Sequence, residues 1–311
     1  MKSRIVIAEF IDERAVARLQ AGHEVLFDPS LVDDTARLIA EAASADVLIV
    51  RNRTQVRGAL LAALQRCRIV GRLGVGLDNI DVDACRARGI RVIPATGANA
   101  QSVAEYVITS AMLLLRGAYR STPHVQSGAW PRQALSSGRE IAGKTLGVIG
   151  FGSIGRLTAT LGRAVGMDVV ACDAALGAGD AVFAAHGVRG AALDAVIASA
   201  DVLSLHVPLL ETTRHLIDAR RIATMKAGAV LVNTARGGVV DETAVADALR
   251  RGSLGGAALD VFEAEPLPAS AQFADCPNLL LTPHVAGVTV ESNQRVSAMV
   301  ADAVLQALAD A

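Results

Sequence analysis

Short runs of aliphatic and β-branched residues recur along the chain, and each is followed by a stretch whose apolar residues fall three or four apart. In the N-terminal third the runs are "RIVIAEF", "EVLFD", "DVLIV", "RIVGRL" and "RVIPA". The pieces between them, "DERAVARLQ", "DDTARLIAEAA" and "RGALLAALQR", have the period of helices that bury one face. From Asn99 a helix-prone stretch runs through "AEYVITSAMLLLRGAY" and gives way to the Gly-, Ser- and Pro-rich "RSTPHVQSGAWPRQALSSGREIAG". A second alternating series opens at "KTLGVIG" and continues through "DVVACD", "DVLSLHVP", "AVLVNTARG", "GGAALDVF" and "NLLLTPH". The last stretch, "TVESNQRVSAMVADAVLQALAD", reads as one amphipathic helix. Strands that alternate with helices predict parallel sheets. Two such α/β series joined by a long helix predict two lobes with a cleft between them.

Composition sharpens this picture. Hydrophobic residues make up 52% of the 311 and aromatics only 3%, so the apolar excess is aliphatic, as a parallel sheet covered by helices requires. Basic and acidic residues nearly cancel, 30 against 31, and no run of like charge stands out, so neither nucleic acid nor an acidic membrane is an expected partner. Cys67, Cys85, Cys172 and Cys276 are far apart and form no C-x-x-C pair, which predicts reduced thiols and no metal site. The start, "MKSRIVIAEFIDER", is too soon charged for a signal segment, and no stretch reaches the roughly 18 apolar residues of a membrane span. A cytoplasmic protein is expected.

The second series opens on a phosphate-binding pattern. Gly150, Gly152 and Gly155 form G-x-G-x-x-G between the strand "TLGVI" and the helix "SIGRLTATLGRA". The first glycine permits a tight turn, the second lets a pyrophosphate approach the backbone, and the third lets helix and strand pack closely. Asp173 ends the next strand 23 residues after Gly150, where an acid accepts from ribose hydroxyls. No Arg or Lys follows in "AALGAGD" to accommodate a 2′-phosphate, so NAD is the expected cofactor.

Three later strand ends carry candidate chemistry: Arg236 in "NTARGGVVDE", Asp260, Glu263 and Glu265 in "ALDVFEAEPLP", and His284 in "TPHVAG". Carboxyl ends of parallel strands converge on one crevice, so these groups are able to face a common ligand. A histidine delivers or accepts a proton near neutral pH. A carboxylate on its second nitrogen fixes the tautomer and favours imidazolium. An arginine grips a carboxylate with two parallel hydrogen bonds.

With "GFGSIG", Asp173, "NTARGGVVDE", "ALDVFEAEPLP" and "TPHVAG", essentially the whole chain resembles the D-isomer-specific 2-hydroxyacid dehydrogenases. The resemblance implies two Rossmann-like doubly wound domains: a substrate-binding domain of residues 1–98 plus 286–311, and an NAD-binding domain of residues 99–285. It implies a homodimer formed through the cofactor domain. It assigns Arg236 to the substrate carboxylate, Glu265 to orienting and tuning, and His284 to acid/base work. It extends the cofactor contacts to Ser102, Ser153, Ile154, His206, Pro208, Thr213, Thr234, Ala235, Asp260 and Gly287. It places Gly74, Val75 and Gly76 of "GRLGVGLDNID" on the substrate carboxylate, with Asn99 near substrate and nicotinamide. Formate dehydrogenases of the same superfamily carry Gln at the position of Glu265, which sets this chain apart from them. Serine feedback of the kind some phosphoglycerate dehydrogenases show is not expected, and an NADH-sensing binding protein without turnover, like the related co-repressors, is the alternative of another class.

One stretch remains. In "VRNRT", residues 50–54, Arg51 and Arg53 would lie on one face of an extended strand and look built to hold an anion. In similar 3-phosphoglycerate dehydrogenases the arginine of such a strand end meets the C3 phosphate, joined by one two past a tryptophan, here Arg132, from the neighbouring subunit. The resemblance thus implies a substrate with a second anion at C3, phosphate or sulfonate. "RNRT", "RGAYRSTP", "WPRQAL" and "AGVTVESNQR" look closer to the (S)-3-sulfolactate dehydrogenases. The label is consistent, because CH2–SO3 outranks carboxylate and the D arrangement is then named S. D-3-phosphoglycerate and glyoxylate or hydroxypyruvate are the alternatives.

Overall fold

A computed structural model describes residues 2–269 and 272–310. The chain forms two compact units, one of Met1–Asn99 with Val288–Ala311 and the other of Ala100–Gly287.

In the first unit β1 (Arg4–Ile7), β2 (Glu24–Phe27), β3 (Val47–Val50), β4 (Ile69–Arg72) and β5 (Arg91–Pro94) form one parallel sheet in the order β2-β1-β3-β4-β5. The order reverses between β1 and β3, so the carboxyl ends of those two strands open the crevice where open α/β sheets bind ligands. The helix Val290–Ala309 covers one face: Val296, Val300, Val304 and Ala307 recur every three or four residues and pack on Ile5, Ile7, Val47, Ile49 and Ile69. Each buried valine contributes roughly 1.5–3 kcal/mol of burial. Thr289 caps the helix by accepting the Ser292 N–H at 3.0 Å.

"VRNRT" begins at a strand end, but the extended backbone expected to put Arg51 and Arg53 on one face does not continue, because β3 stops at Val50. Residues 51–54 curl around Glu9, a buried acid whose carboxylate accepts the N–H groups of Arg51 (2.8 Å), Thr54 (3.0 Å) and Arg53 (3.2 Å). Asn79 fastens the turn from its carbonyl side, donating to Thr54 (2.7 Å) and Arg51 (3.1 Å). The two arginines therefore part: Arg53 pairs with Asp33, while Arg51 donates to Asn293 at 2.9 Å. A carboxylate that takes three N–H groups competes with any continuation of the ladder. Glu9 lies 42 residues upstream of Arg51, out of sight of a five-residue window.

The second unit holds β6 (Thr145–Ile149), β7 (Asp168–Cys172), β8 (Arg189–Gly190), β9 (Val202–Leu205), β10 (Val230–Asn233), β11 (Gly256–Leu259) and β12 (Leu279–Leu281). They form one parallel sheet in the order β12-β11-β10-β9-β6-β7-β8, which reverses between β6 and β9. This is the doubly wound, Rossmann-like arrangement. Strands β9, β10 and β11 are buried at every residue, as helices on both faces demand. Two-residue β8 was not anticipated, since so short a strand has no periodicity. Helix Ala100–Arg116 packs Val107, Ala111 and Leu114 into the core formed with Leu146, Val148 and Val230. Residues 117–140 carry only a short helix, Thr122–Gln126, and two 3-10 turns, and they expose Tyr119, Val125 and Trp130. Among the described residues no helix is long and apolar enough to cross a membrane.

Candidate active site

At the β6–β9 reversal Gly150 has φ +93°, and a Cβ on it would stand 2.5 Å from the His206 carbonyl oxygen. A Cβ on Gly155 would collide with the Gly150 carbonyl, so both positions need glycine for close approach. Gly152 differs, because a Cβ there would meet nothing within 4 Å. Its open side lies at the start of helix Ser153–Ala164, whose first turn includes Ser153 and Ile154 and leaves N–H donors for a phosphate. Asp173 is already at work within the protein: its carboxylate accepts the N–H groups of Phe151 (2.7 Å) and Ala175 (2.9 Å), tying the glycine loop to the end of β7. Each carboxylate oxygen keeps acceptor capacity for a ribose hydroxyl. Residues 174–180 carry no cationic side chain.

After β9 the His206 residue is partly exposed, yet desolvation of its imidazole pulls the pKa down to about 4, and the ring stays neutral beside Ser204 at 2.9 Å. The Thr213 hydroxyl closes the following turn on itself, accepting the Leu210 N–H (2.7 Å) and donating to the Pro208 carbonyl (2.6 Å). After β10, Thr234 Oγ1 is buried with no hydrogen-bond partner among the described residues. A glycine loop with one open face, an acid at the end of the second strand and this orphaned hydroxyl all fit a dinucleotide, and the lack of a cation after Asp173 fits NAD.

The turn bearing Arg236 is built by Asn233, which is buried at the end of β10. Its Oδ1 accepts the Ala235 N–H (3.0 Å) and its Nδ2 donates to the Arg236 carbonyl (3.0 Å). The Arg236 guanidinium folds back to the Ala235 carbonyl at 2.6 Å. On the next strand end, Glu265 uses Oε1 to accept the Phe262 N–H (3.0 Å) and Oε2 to contact His284 Nδ1 at 2.7 Å. Burial pushes the Glu265 carboxyl up, but the His284 hydrogen bond, the Phe262 N–H and the charges of His284 and Arg236 outweigh it and hold the pKa below the ordinary value. Arg236, Glu265 and His284 are thus brought together. Because an ionised Glu265 only accepts, Nδ1 carries the proton and the neutral imidazole has Nε2 as its free lone pair. His284 is 43% exposed and sits at φ +56°, a left-handed conformation uncommon outside glycine.

Asp260 holds that conformation in place. It is buried (1% exposed), and its carboxylate accepts from Thr282 Oγ1 (2.6 Å), the Val285 N–H (2.8 Å) and the Ala286 N–H (2.8 Å). Its carbonyl accepts the His284 N–H at 2.8 Å, and Tyr106 reaches Thr282 at 2.6 Å. Gly287 follows this loop, and Ser102 is buried in the first turn of helix Ala100–Arg116. Several partners carry no signal in the sequence. Glu242 is buried and accepts the Glu263 N–H (2.6 Å), while His215 pairs with the Glu263 carboxylate at 3.0 Å. The only signal available for Asn233 was an amide side chain three residues before the Arg of an Arg-Gly-Gly turn.

In the first unit, residues 73–77 form a loop after β4 in which Gly74 adopts φ +154° and its N–H returns to the Arg72 carbonyl at 2.8 Å. Among the described residues no acceptor is found for the N–H of Val75 or Gly76, so both are available to a carboxylate. Asn99 has a buried Oδ1 without a partner among the described residues. Arg51 stands at the β1–β3 crevice, and Arg132 of the second unit lies in the exposed segment 117–140.

The chain matches a model of the D-isomer specific 2-hydroxyacid dehydrogenase NAD binding domain over residues 108–286. It is 54% identical over 98% of both chains to an (S)-sulfolactate dehydrogenase of Chromohalobacter salexigens. It is 39% identical to a D-3-phosphoglycerate dehydrogenase of Mycobacterium leprae, of which it spans 57%, with 98% of its own length covered. A D-lactate dehydrogenase of Aquifex aeolicus, solved with NAD and lactic acid, superposes with a TM-score of 0.82 at 29% identity, covering 99% of this chain and 96% of that one. The doubly wound sheets, the glycine loop and these matches agree: the chain belongs to the D-isomer-specific 2-hydroxyacid dehydrogenases, and it is an NAD-dependent oxidoreductase.

Proposed function

We propose that the protein interconverts (S)-3-sulfolactate and 3-sulfopyruvate. The observation that carries the chemistry is the 2.7 Å contact between His284 and Glu265, and the substrate follows from the 54% identity with a sulfolactate dehydrogenase. The unit of residues 100–287 holds the cofactor and carries Arg236, Glu265 and His284, while the unit of residues 1–99 with 288–311 carries Arg51, Gly74, Val75, Gly76 and Asn99 for the substrate. Gly150, Gly152, Ser153, Ile154, Gly155 and Asp173 hold the dinucleotide, with Ser102, His206, Pro208, Thr213, Thr234, Ala235, Asp260 and Gly287 completing its surroundings. Held there, NAD would supply the hydride acceptor for C2 of the alcohol and, in its reduced form, the hydride donor for the ketone.

The proton is handled by the protein. In oxidation His284 Nε2 takes the hydroxyl proton while Glu265 steadies the imidazolium that forms; in reduction the same nitrogen gives the proton to the carbonyl oxygen. Arg236 grips the substrate carboxylate and polarises the carbonyl; the Val75 and Gly76 N–H groups, beside Gly74, are donors suited to a carboxylate. Asn99 lines the substrate. Arg51 meets the C3 anion, joined by Arg132 from a second copy of the chain. The homodimer this requires is supported by Tyr119, Val125 and Trp130, exposed in the segment that carries Arg132. The protein works in the cytoplasm.

NADH oxidation with sulfopyruvate, 3-phosphohydroxypyruvate, hydroxypyruvate and glyoxylate is the direct test, run on a preparation whose light scattering gives a two-chain mass. Sulfopyruvate is expected to lead in kcat/KM by tenfold or more, about 1.4 kcal/mol of differential transition-state binding. Arg51→Ala is expected to raise KM for the C3-anionic acids far more than for glyoxylate; equal losses would refute the C3 contact. The 3-phosphoglycerate reading is favoured by the mycobacterial relative and wins if phosphohydroxypyruvate leads.

Glu265→Gln gives a pH test. Glu265 is held below its ordinary pKa, so it is ionised through the neutral range and favours the protonated imidazole needed for reduction. Removing that charge disfavours imidazolium. The pH above which reduction falls off should therefore move down, and oxidation should persist to lower pH. An unmoved profile would count against the pair as the proton-handling unit.

A further inference from the structure

The turn around Glu9 bears on which anion the chain selects, and this inference rests on the reading of Arg51 as the C3-anion contact. Glu9 and Phe10 follow β1 and Arg51 follows β3, so they meet at the strand-order reversal of the first sheet. The Arg51 guanidinium lies over the half-exposed Phe10 ring, 5.7 Å from its centroid, and Nη2 donates to Asn293 Oδ1 at 2.9 Å. Asn293 comes from the first turns of helix Val290–Ala309. Since an arginine only donates, the amide oxygen must face it, and the two N–H bonds of Asn293 then point away from the cation. The guanidinium and the amide thus form a continuous row of donors that carries only one positive charge.

We propose that Asn293 is a specificity-determining residue for the C3 anion: with Arg51 it presents a singly charged donor row that suits a monoanionic tetrahedral group, a sulfonate, over a dianionic phosphate. The surrounding charges enforce this. Glu9 adds a fixed negative charge beside Arg51, anchored by its three backbone N–H bonds, and Arg53 is neutralised by Asp33. Even with Arg132 adding one positive charge, a monoanion is balanced while a dianion leaves an excess and doubles the repulsion from Glu9. The three oxygens of a sulfonate share one negative charge, so amide N–H donors serve them with hydrogen bonds that add no further positive charge. Arg51 itself is pulled down by burial and raised by Glu9, consistent with a guanidinium that is partly enclosed and held by geometry.

The experiment measures kcat/KM of the full-length enzyme for 3-sulfopyruvate, 3-phosphohydroxypyruvate and hydroxypyruvate, whose C3 is uncharged. Arg51→Ala, Asn293→Ala, Asn293→Asp and Glu9→Gln are compared with the parent, with thermal melts to exclude misfolded variants. Asn293→Ala should cost sulfopyruvate tenfold or more, carried by KM, and hydroxypyruvate less than threefold. Asn293→Asp should cost both C3 anions more than Asn293→Ala does, because it adds a negative charge. Glu9→Gln should shift the phosphate-to-sulfonate preference threefold or more toward phosphate; if that variant melts out, Asn293→Asp carries the charge test alone. Equal losses on all three substrates in Asn293→Ala, with Arg51→Ala still selective, would overturn the role of Asn293 and leave the Arg51 contact standing. An unselective Arg51→Ala would overturn both.

Discussion

Replacing His284 by asparagine is expected to lower kcat in both directions by about 10²- to 10⁴-fold, the usual contribution of a positioned acid/base, while NADH binding stays within a few-fold of the parent. The proton on the substrate oxygen must go somewhere as hydride leaves or arrives at C2, and His284 offers an Nε2 whose tautomer is set by Glu265 at 2.7 Å on the other side of the ring. Asparagine is the better first variant because residue 284 sits at φ +56°, which asparagine tolerates and alanine resists. His284→Ala should lose turnover equally but also cost stability, of order 1 kcal/mol. Single-turnover kinetics and fluorescence titration with NADH separate the two quantities. A tenfold loss of NADH affinity with kcat preserved would mean that His284 holds cofactor and that another group moves the proton.

Removing Arg236 should be nearly as damaging and should leave a different signature. Truncating one partner of a desolvated charge pair costs roughly 2–4 kcal/mol, a 30- to 1,000-fold loss of kcat/KM for every 2-oxo acid, charged at C3 or not. Arg236→Lys should restore only part of this, since an ammonium cannot reproduce the two parallel bonds to a carboxylate. Arg236 also helps to keep the Glu265 carboxyl low. Its loss should therefore raise the pH at which activity fails on the acid side, because Glu265 becomes easier to protonate. A variant with intact kcat/KM for pyruvate-like acids would show that Arg236 grips something other than the carboxylate common to them all.

The parts of this site that were legible in the sequence share a property: each depends on residues close together in the chain. The glycine pattern, the strand before it and the helix after it span some twenty residues, and their meaning follows from local backbone geometry and packing. Arg236, Glu265 and His284 could be proposed as a set because each follows a strand of the same parallel series. What the sequence did not disclose was how each is held. Asn233 builds the Arg236 turn from three residues away, yet Asp260 reaches 22 to 26 residues to fix the loop carrying His284. "VRNRT" failed for the same reason. Period-2 reasoning applies while the ladder continues, and a distant carboxylate ended it.

By itself, then, the sequence determined the α/β alternation, the two parallel series, the cofactor loop and the residue types able to move a proton and bind a carboxylate, because periodicity and turn chemistry are properties of neighbouring residues. The tertiary structure decided that Arg51 and Arg53 diverge, that Asp173 and Asp260 serve backbone N–H groups as well as any ligand, and that His284 turns its Nδ1 to Glu265. Those outcomes were settled by which buried donor found which acceptor once the strands had assembled, and such pairings join residues that the chain keeps far apart.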